Sequence, residues 1–361
     1  MSSIQNAFSK SYAEARQKFL DAAQAAGLPV QSHYHPLPGR DGESLAMDVV
    51  REGPADAKHL LVISSACHGV EGYCGSGVQI HALRNAAWRQ AAREAGVAVL
   101  YIHALNPYGF SHVRRVTHEN VDINRNFNDY SQPLPVSQAY RDIHALLLPT
   151  VWPPDADNQS AVAAYIAKHG MPAFQAAMSS GQHEFADGLF FGGRGPTRSN
   201  LTLRNVLREH GRTCQRLAWI DLHTGLGPCG VGERIFACAD DKAALARAKA
   251  WWGPGITSIY DGSSTSAFLT GLMWMAAYQE CPQAEYTGIA LEYGTQPWEA
   301  VTHALRGDHW LALHPEASDA LRREIKQTLM NAFYVDTDEW RTQIIDQAVD
   351  AMQQAVHGLA R

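Results

Sequence analysis

Short continuous apolar runs alternate with amphipathic stretches along the chain. The runs at 59–65, 97–102 and 217–222 have the length of buried strands in a parallel sheet. Residues 76–95, between the first two runs, repeat apolar side chains at helical spacing. Because strand, helix and strand at this spacing form a βαβ unit, the pattern predicts an α/β fold. We expect a three-layer α/β/α arrangement with a mixed, mostly parallel sheet.

The same reading assigns most of the remaining chain to helices and strands around that sheet. It predicts an N-terminal helix at 4–26, a strand hairpin within 32–51, a helix at 199–210, a strand at 234–239, a helix at 240–252, an apolar helix around 266–278, a strand at 287–295, and helices at 316–333 and 337–357. Residues 130–215 are interrupted by prolines and show no strand-rich core of their own. We therefore predict one domain over 1–361, with 130–215 as an excursion that covers the site.

The amino-acid composition argues against several classes of protein. Of the 361 residues 46% are hydrophobic and 18% charged, which is typical of a globular protein. The net charge of −6, without a basic block, argues against nucleic acid or an anionic membrane as partner. Six cysteines without a CxxC pair argue against a disulfide framework or a cysteine metal site. Charged residues throughout 1–26 argue against a signal peptide or membrane span, so we expect a cytoplasmic protein.

Histidines and carboxylates follow several of the predicted strands. His68 and Glu71 come directly after the first apolar run, His223 follows the third, and Glu292 lies near the end of the last. Because strand ends meet at one edge of such a sheet, these side chains are candidates for a single site. Imidazole and carboxylate suit zinc, and a catalytic zinc takes three protein ligands and keeps one position open. Taken singly, each residue also has an ordinary structural interpretation as a hydrogen-bonded or ion-paired group.

Three arginines follow the second apolar run. Arg114, Arg115 and Arg125 lie in a polar segment where a loop should leave the sheet. Single loop arginines are usually solvated, but three together beyond one strand end indicate an anion site.

Considered jointly, the motifs resemble a known family. The chain contains H-x-x-E at 68–71, N-P-x-G-F at 106–110, D-x-N-R-N-F at 122–127, D-L-H-T at 221–224 and L-E-Y-G-T at 291–295. This set resembles the zinc carboxypeptidases of the carboxypeptidase A type, and is nearer to a bacterial, unsecreted branch of uncharacterised members. The resemblance spans about 59–128 and 216–295, and it implies the α/β/α carboxypeptidase fold.

The resemblance implies a zinc site. His68, Glu71 and His223 match the family's three ligands, with one zinc ion per chain. Asp122 matches the carboxylate that orients the first zinc histidine, a common role for groups behind metal ligands.

The resemblance also implies roles for catalytic and substrate-binding residues. Glu292 matches the general base, and Arg115, in preference to Arg114, matches the arginine that stabilises the oxyanion. Asn124 and Arg125 match the pair that binds the terminal carboxylate of the substrate. A guanidinium can bind that carboxylate in a bidentate manner.

The chain departs from the family at three points. Tyr260 resembles the family's mobile active-site tyrosine, but its separation from Glu292 is longer than the pattern requires. No signal or propeptide is recognisable, so secretion and zymogen activation are not expected. The excursion at 130–215 reshapes the surroundings of the pocket, so side-chain specificity does not carry over.

Three functions remain open at this point. The first is a zinc metallocarboxypeptidase or amidase that hydrolyses a C-terminal amide bond of a small peptide through a metal-activated water. The second is a zinc deacylase of the aspartoacylase or succinylglutamate desuccinylase type, acting on N-acyl amino acids. The third is a non-enzymatic binding protein on the same fold, in which loss of the base or a ligand would be expected. Asn124 and Arg125 suit both enzymes, so the sequence does not separate them.

Overall fold

The computed structural model describes residues 4–361. Its strands are β1 (Val30–Pro38), β2 (Ser44–Glu52), β3 (His59–Ser65), β4 (Val97–His103), β5 (Arg216–Cys229), β6 (Gly232–Phe236) and β7 (Glu285–Gly294). Its α-helices are α1 (Tyr12–Ala25), α2 (Gly72–Arg84), α3 (Ala86–Glu94), α4 (Pro107–Ser111), α5 (Gln138–Leu147), α6 (Ala156–His169), α7 (Met171–Ser179), α8 (Arg198–Gly211), α9 (Lys242–Trp252), α10 (Met275–Glu280), α11 (Trp298–Leu313), α12 (Asp319–Phe333) and α13 (Asp338–Ala360). Short 3₁₀ turns occupy Ile4–Ala7, Gly69–Glu71 and Ile123–Arg125.

The seven strands form one mixed sheet in the order β1-β2-β4-β3-β5-β7-β6. The four central strands β4, β3, β5 and β7 run parallel, and the pairs β1/β2, β2/β4 and β6/β7 at the two edges are antiparallel. Consecutive side chains of β3 and β4, which point to opposite faces of the sheet, are both buried because helices cover both faces. The predicted α/β class with a mixed sheet is confirmed, and the ends of the parallel strands meet at one edge.

Two predicted helices are divided by side-chain caps. The helix predicted at 4–26 is a 3₁₀ turn followed by α1, because the Ser11 side chain accepts a hydrogen bond from the amide of Glu14 and starts a new helix. The helix predicted at 76–95 is divided into α2 and α3 at Asn85, whose side chain accepts from the amide of Trp88. Both corrections concern helix boundaries and leave the βαβ unit intact.

The helix predicted around 266–278 is wrong over most of its length. Helix α10 begins only at Met275, and the preceding residues form a loop. Gly271 in this loop has φ +67°, and a Cβ atom there would lie 2.3 Å from the carbonyl oxygen of Arg125. Four apolar residues of the loop, Ala267, Leu269, Leu272 and Trp274, line a cavity instead of one side of a helix, which explains why their spacing imitates that of a helix.

Residues 130–215 are mainly helical. The segment contains α5, α6, α7 and α8, and its only ladder contact among the described residues is an isolated bridge between Gln182 and Phe191. Helix α11, which the hydrophobic pattern did not indicate, follows β7 and packs against α12. Helices α7 and α11 both contribute side chains to the cavity described below.

Two further observations bear on composition. All six cysteines are free thiols. Within residues 4–361, every helix is too short or too polar to cross a lipid bilayer.

Candidate metal centre

His68 and Glu71 lie at the two ends of the turn that follows β3. The amide of Gly69 in this turn donates to the carbonyl of Arg115 at 3.0 Å, which joins the turn to a second loop. A Cβ atom on Gly69 would lie 2.1 Å from the carbonyl carbon of Gly109, so the close approach of the two loops requires glycine here. The His-Gly-Val-Glu sequence therefore places both side chains on one side of a tightly packed turn.

Donor atoms from three buried residues converge beside this turn. His68 Nδ1 lies 2.8 Å from Glu71 Oε1, and His223 Nδ1 lies 2.9 Å from Glu71 Oε2. The two Nδ1 atoms are 3.3 Å apart. One ligand atom from each residue lies within 4.8 Å of the others, and all three residues are buried. The structure thus brings together the three residues that the sequence predicted as metal ligands.

The chemistry of this group fits a metal ion. Two imidazole nitrogens and one carboxylate are the donor set of many catalytic zinc sites. Two nitrogens bound to one tetrahedral zinc at about 2.0–2.1 Å lie about 3.3 Å apart, which matches the separation of the two Nδ1 atoms. The spacing of the two histidine nitrogens therefore suits a shared metal ion.

The far side of each histidine ring faces a carboxylate. His68 Nε2 lies 3.2 Å from Asp122 Oδ1, the residue that the family resemblance pairs with this histidine, and His223 Nε2 lies 2.6 Å from Asp221 Oδ2. Asp221 Oδ1 in turn accepts from the Ser64 hydroxyl at 2.5 Å. Such carboxylates fix the orientation and tautomer of a ligand histidine. The sequence reading missed the role of Asp221, although residues i and i+2 of a strand face the same side.

Carboxylates are in excess over guanidinium groups around the site. Burial lowers the pKa of His223, but Asp221 and Glu71 outweigh this effect and hold that pKa well above its usual value. Carboxylates outnumber guanidinium groups around the site by four to two (Glu71, Asp122, Asp221 and Glu292 against Arg115 and Arg125). In the absence of a metal, the proton that this raised pKa keeps on His223 compensates part of the excess, and a divalent cation bound at the imidazole nitrogens would replace that proton.

Glu292 lies beside the convergent donors. It is paired with His223 in the parallel register of β5 and β7, and its Oε1 accepts from the amide of Leu226 at 3.0 Å. Burial and then the neighbouring Glu71 carboxylate raise the pKa of Glu292 to about 7. A carboxylate with this pKa can accept and release a proton near neutrality.

The side chains of Arg115 and Arg114 lie in different environments. Arg115 lines the cavity; its Nε donates to Asp122 at 2.9 Å, its Nη1 donates to Glu71 at 3.2 Å, and its Nη2 lies 2.7 Å from His68 Nε2. Arg114 lies outside the cavity, and its Nε donates to the buried Asp308 at 3.0 Å. Only Arg115 of this pair is placed beside the metal-ligand group.

Asn124 and Arg125 present unused donors to the same cavity. Asn124 Oδ1 accepts from the amide of Met273 at 2.9 Å, and within residues 4–361 its Nδ2 group makes no hydrogen bond. Arg125 is buried and donates only to the carbonyls of Ser179 and Asn124 through three N–H groups. Two of its five N–H donors are therefore free, and no ion pair to it forms within the described chain. Burial lowers the pKa of Arg125 to about 10.

One open cavity of about 970 Å³, counting space continuous with solvent, contains the whole group. Apart from the charged residues above, its wall is mostly apolar. The apolar wall comprises Met178, Phe190, Leu226, Ile235, Phe236, Ala237, Ile259, Ala267, Leu269, Leu272, Trp274, Ala290, Trp298, Val301, Leu305 and Phe333. Tyr260 stands outside this wall, with its hydroxyl donating to the carbonyl of Cys238 at 2.9 Å.

Two solved structures resemble this chain at low sequence identity. Bovine thrombin-activatable fibrinolysis inhibitor is 9% identical, with 97% of each chain covered and a TM-score of 0.49. A metallo-carboxypeptidase from Burkholderia cenocepacia is 12% identical, with 96% of this chain and 68% of that chain covered and a TM-score of 0.43. No match was found among curated proteins.

A family profile covers nearly the whole chain. It matches residues 8–347, which include every strand and the complete group of candidate site residues. The chain belongs to the family described as Protein of unknown function (DUF2817).

Proposed function

We propose that this protein is a zinc-dependent metallocarboxypeptidase or amidase that hydrolyses the C-terminal amide bond of a small peptide. The proposal rests on one observation: two groups of polar residues line the same cavity. A buried His-Glu-His cluster lines this cavity, and so do the unpaired Arg125 and the free amide of Asn124. The first group suits a catalytic metal, and the second suits a terminal carboxylate.

His68, Glu71 and His223 would hold the metal. When bound, zinc polarises a carbonyl and lowers the pKa of a bound water, which supplies the nucleophile at neutral pH. Asp122 and Asp221 hold the two histidine rings in place.

The remaining residues act on the substrate and its protons. Glu292 accepts a proton from the attacking water and donates it to the leaving nitrogen. Arg115 donates hydrogen bonds to the oxygen that becomes negative in the tetrahedral intermediate. Asn124 and Arg125 bind the terminal carboxylate, so the scissile amide is held at a fixed distance from that end.

The cavity wall supports an apolar residue at the substrate's C-terminus. Beyond the site residues already described, the wall is made of aliphatic and aromatic side chains, with few polar groups. Burial of an apolar side chain there is favourable by about 1.5–3 kcal/mol, whereas a charged side chain would lose its hydration without a partner.

The test is hydrolysis by the zinc-loaded protein of N-benzyloxycarbonyl-Gly-Phe and of N-acetyl-phenylalanine. Preference for the first supports the peptidase, and preference for the second supports a deacylase. Glu292→Gln should keep zinc and lose turnover, with exposed Glu299→Gln as the matched control. A Glu292→Gln protein with full turnover would remove Glu292 from the mechanism. Absence of hydrolysis of a panel of both classes by zinc-loaded wild type would overturn the proposal.

A further inference from the structure

Phe190 has an unusual backbone conformation beside the cavity. It belongs to the loop between α7 and α8, and its φ of +53° lies in the left-handed region that side chains with a Cβ rarely adopt. The carbonyl of Phe190 accepts from the amide of Gln182 at 3.2 Å, and the carbonyl of Phe191 accepts from the amide of Asp122 at 2.8 Å. The loop is thus fixed to the segment that carries the site residues, in a conformation that costs free energy.

This conformation directs the Phe190 ring to both cavity arginines. The ring centroid lies 5.0 Å from Cζ of Arg115 and 5.5 Å from Cζ of Arg125. Phe190 is 6% exposed, and its ring forms part of the cavity wall. Both separations are within the range in which a guanidinium is attracted to the face of an aromatic ring.

The two arginines differ in the groups that balance their positive charge. Arg115 pairs with Asp122 and Glu71, whereas Arg125 is held only by backbone carbonyls. The aromatic ring gives Arg125 an electrostatic contact without occupying the N–H groups that a ligand needs. It also excludes water from the guanidinium, and in such surroundings a charge-assisted hydrogen bond to a carboxylate is stronger.

We propose that Phe190 is a positioning residue that holds Arg125 ready to bind a ligand carboxylate. The role of Arg125 as the carboxylate-binding group rests on the proposed function. Loss of the aromatic face should therefore weaken binding of the carboxylate, whereas Arg115 is still held by its ion pairs with Asp122 and Glu71. In kinetic terms, KM should rise while kcat changes little.

The experiment measures binding of 3-phenylpropionate, an apolar monocarboxylate, to the zinc-loaded protein by calorimetry. Phe190→Leu keeps an apolar side chain of similar size and removes the aromatic face, so the affinity should fall about tenfold or more. Arg125→Met should abolish binding, which identifies the site of the probe. Phe191→Leu is the matched control, since this ring lies outside the cavity wall, and should bind the probe as wild type does.

The outcomes separate this inference from the proposed function. A Phe190→Leu protein that binds 3-phenylpropionate as tightly as wild type would overturn the inference, as would wild type that does not bind the probe. A rise in KM at unchanged kcat supports it, and a fall in kcat at unchanged KM contradicts it. If the protein hydrolyses no amide but loses probe affinity in both Phe190→Leu and Arg125→Met, the hydrolase fails and the positioning role of Phe190 stands.

Discussion

Replacing Asp221 with asparagine tests how the site holds its second histidine. The carboxylate lies 2.6 Å from His223 Nε2, and both residues are buried, at 6% and 4% exposed. The substitution keeps the size of the side chain and removes the charge that orients the ring. Asparagine can also turn its amide nitrogen toward Nε2, which would favour the wrong tautomer for a metal bound at Nδ1.

The expected loss of zinc affinity in Asp221→Asn follows from this geometry. Changes to carboxylates behind metal-bound histidines typically lower metal affinity by 10- to 100-fold, or about 1.4–2.8 kcal/mol. The short contact and the burial of both groups place Asp221→Asn toward the upper part of that range. Ser64→Ala removes a hydroxyl that donates to Asp221 and accepts from the indole N–H of Trp219, but it keeps the Asp221 carboxylate, so we expect the loss of zinc affinity to be smaller than tenfold.

The assay is competition for zinc with a chromogenic chelator at one pH and ionic strength. Asp240→Asn is the control, because Asp240 is exposed and distant in sequence from the ligands. The order of affinity should be wild type and Asp240→Asn, then Ser64→Ala, then Asp221→Asn. An Asp221→Asn protein whose zinc affinity is within twofold of wild type would refute the assigned role of this carboxylate.

Two further predictions concern stability. Asp308 is buried between Lys326 and Arg114, so Asp308→Asn should lower the free energy of unfolding by about 3–5 kcal/mol in urea titrations at pH 7. Burial raises the pKa of Asp308, but Lys326 and Arg114 outweigh this and hold it well below its usual range. The ion pairs of Asp308 therefore contribute their full stabilisation above the unfolded pKa of about 3.9. The difference in free energy of unfolding between Asp308→Asn and wild type should shrink as the pH falls below about 4. A difference that stays constant with pH would contradict the ion-pair explanation. The backbone of Phe190 has a φ of +53°, which glycine adopts at lower cost than alanine. The Phe190→Gly protein should therefore be more stable than the Phe190→Ala protein by about 1 kcal/mol in thermal unfolding, although at negative φ a glycine is usually less stabilising than an alanine. The reverse order would show that the backbone there is not strained.

Much of the site could be predicted because its residues follow strands. In β3, β5 and β7 the apolar run identifies the strand, and the first polar residues after or near its end mark the edge where ligands bind. That is why His68, His223 and Glu292 could be grouped before any distance was known. Asp221 could also have been found, since it precedes His223 by two positions on β5 and shares its face.

Other features depend on tertiary contacts that leave no periodic signal. The loop that contains Phe190 has neither helical nor strand spacing, and its conformation is fixed by hydrogen bonds to distant segments. Helix α11 buries Asp308 and His309 among apolar side chains, so its buried face does not appear as a hydrophobic stripe. In the loop at 261–274 most of the apolar residues line the cavity, and their spacing imitates the pattern of a buried helix.

Metal content tests the central claim most directly. The protein is purified without added metal, offered zinc, dialysed and measured by mass spectrometry, alongside His223→Ala treated in the same way. The account predicts about one zinc per chain in the wild type and little or none in His223→Ala, because two of the three ligand residues rarely hold zinc alone. Wild-type protein that retains no zinc, or a His223→Ala variant that retains as much as wild type, would contradict the assignment of the site.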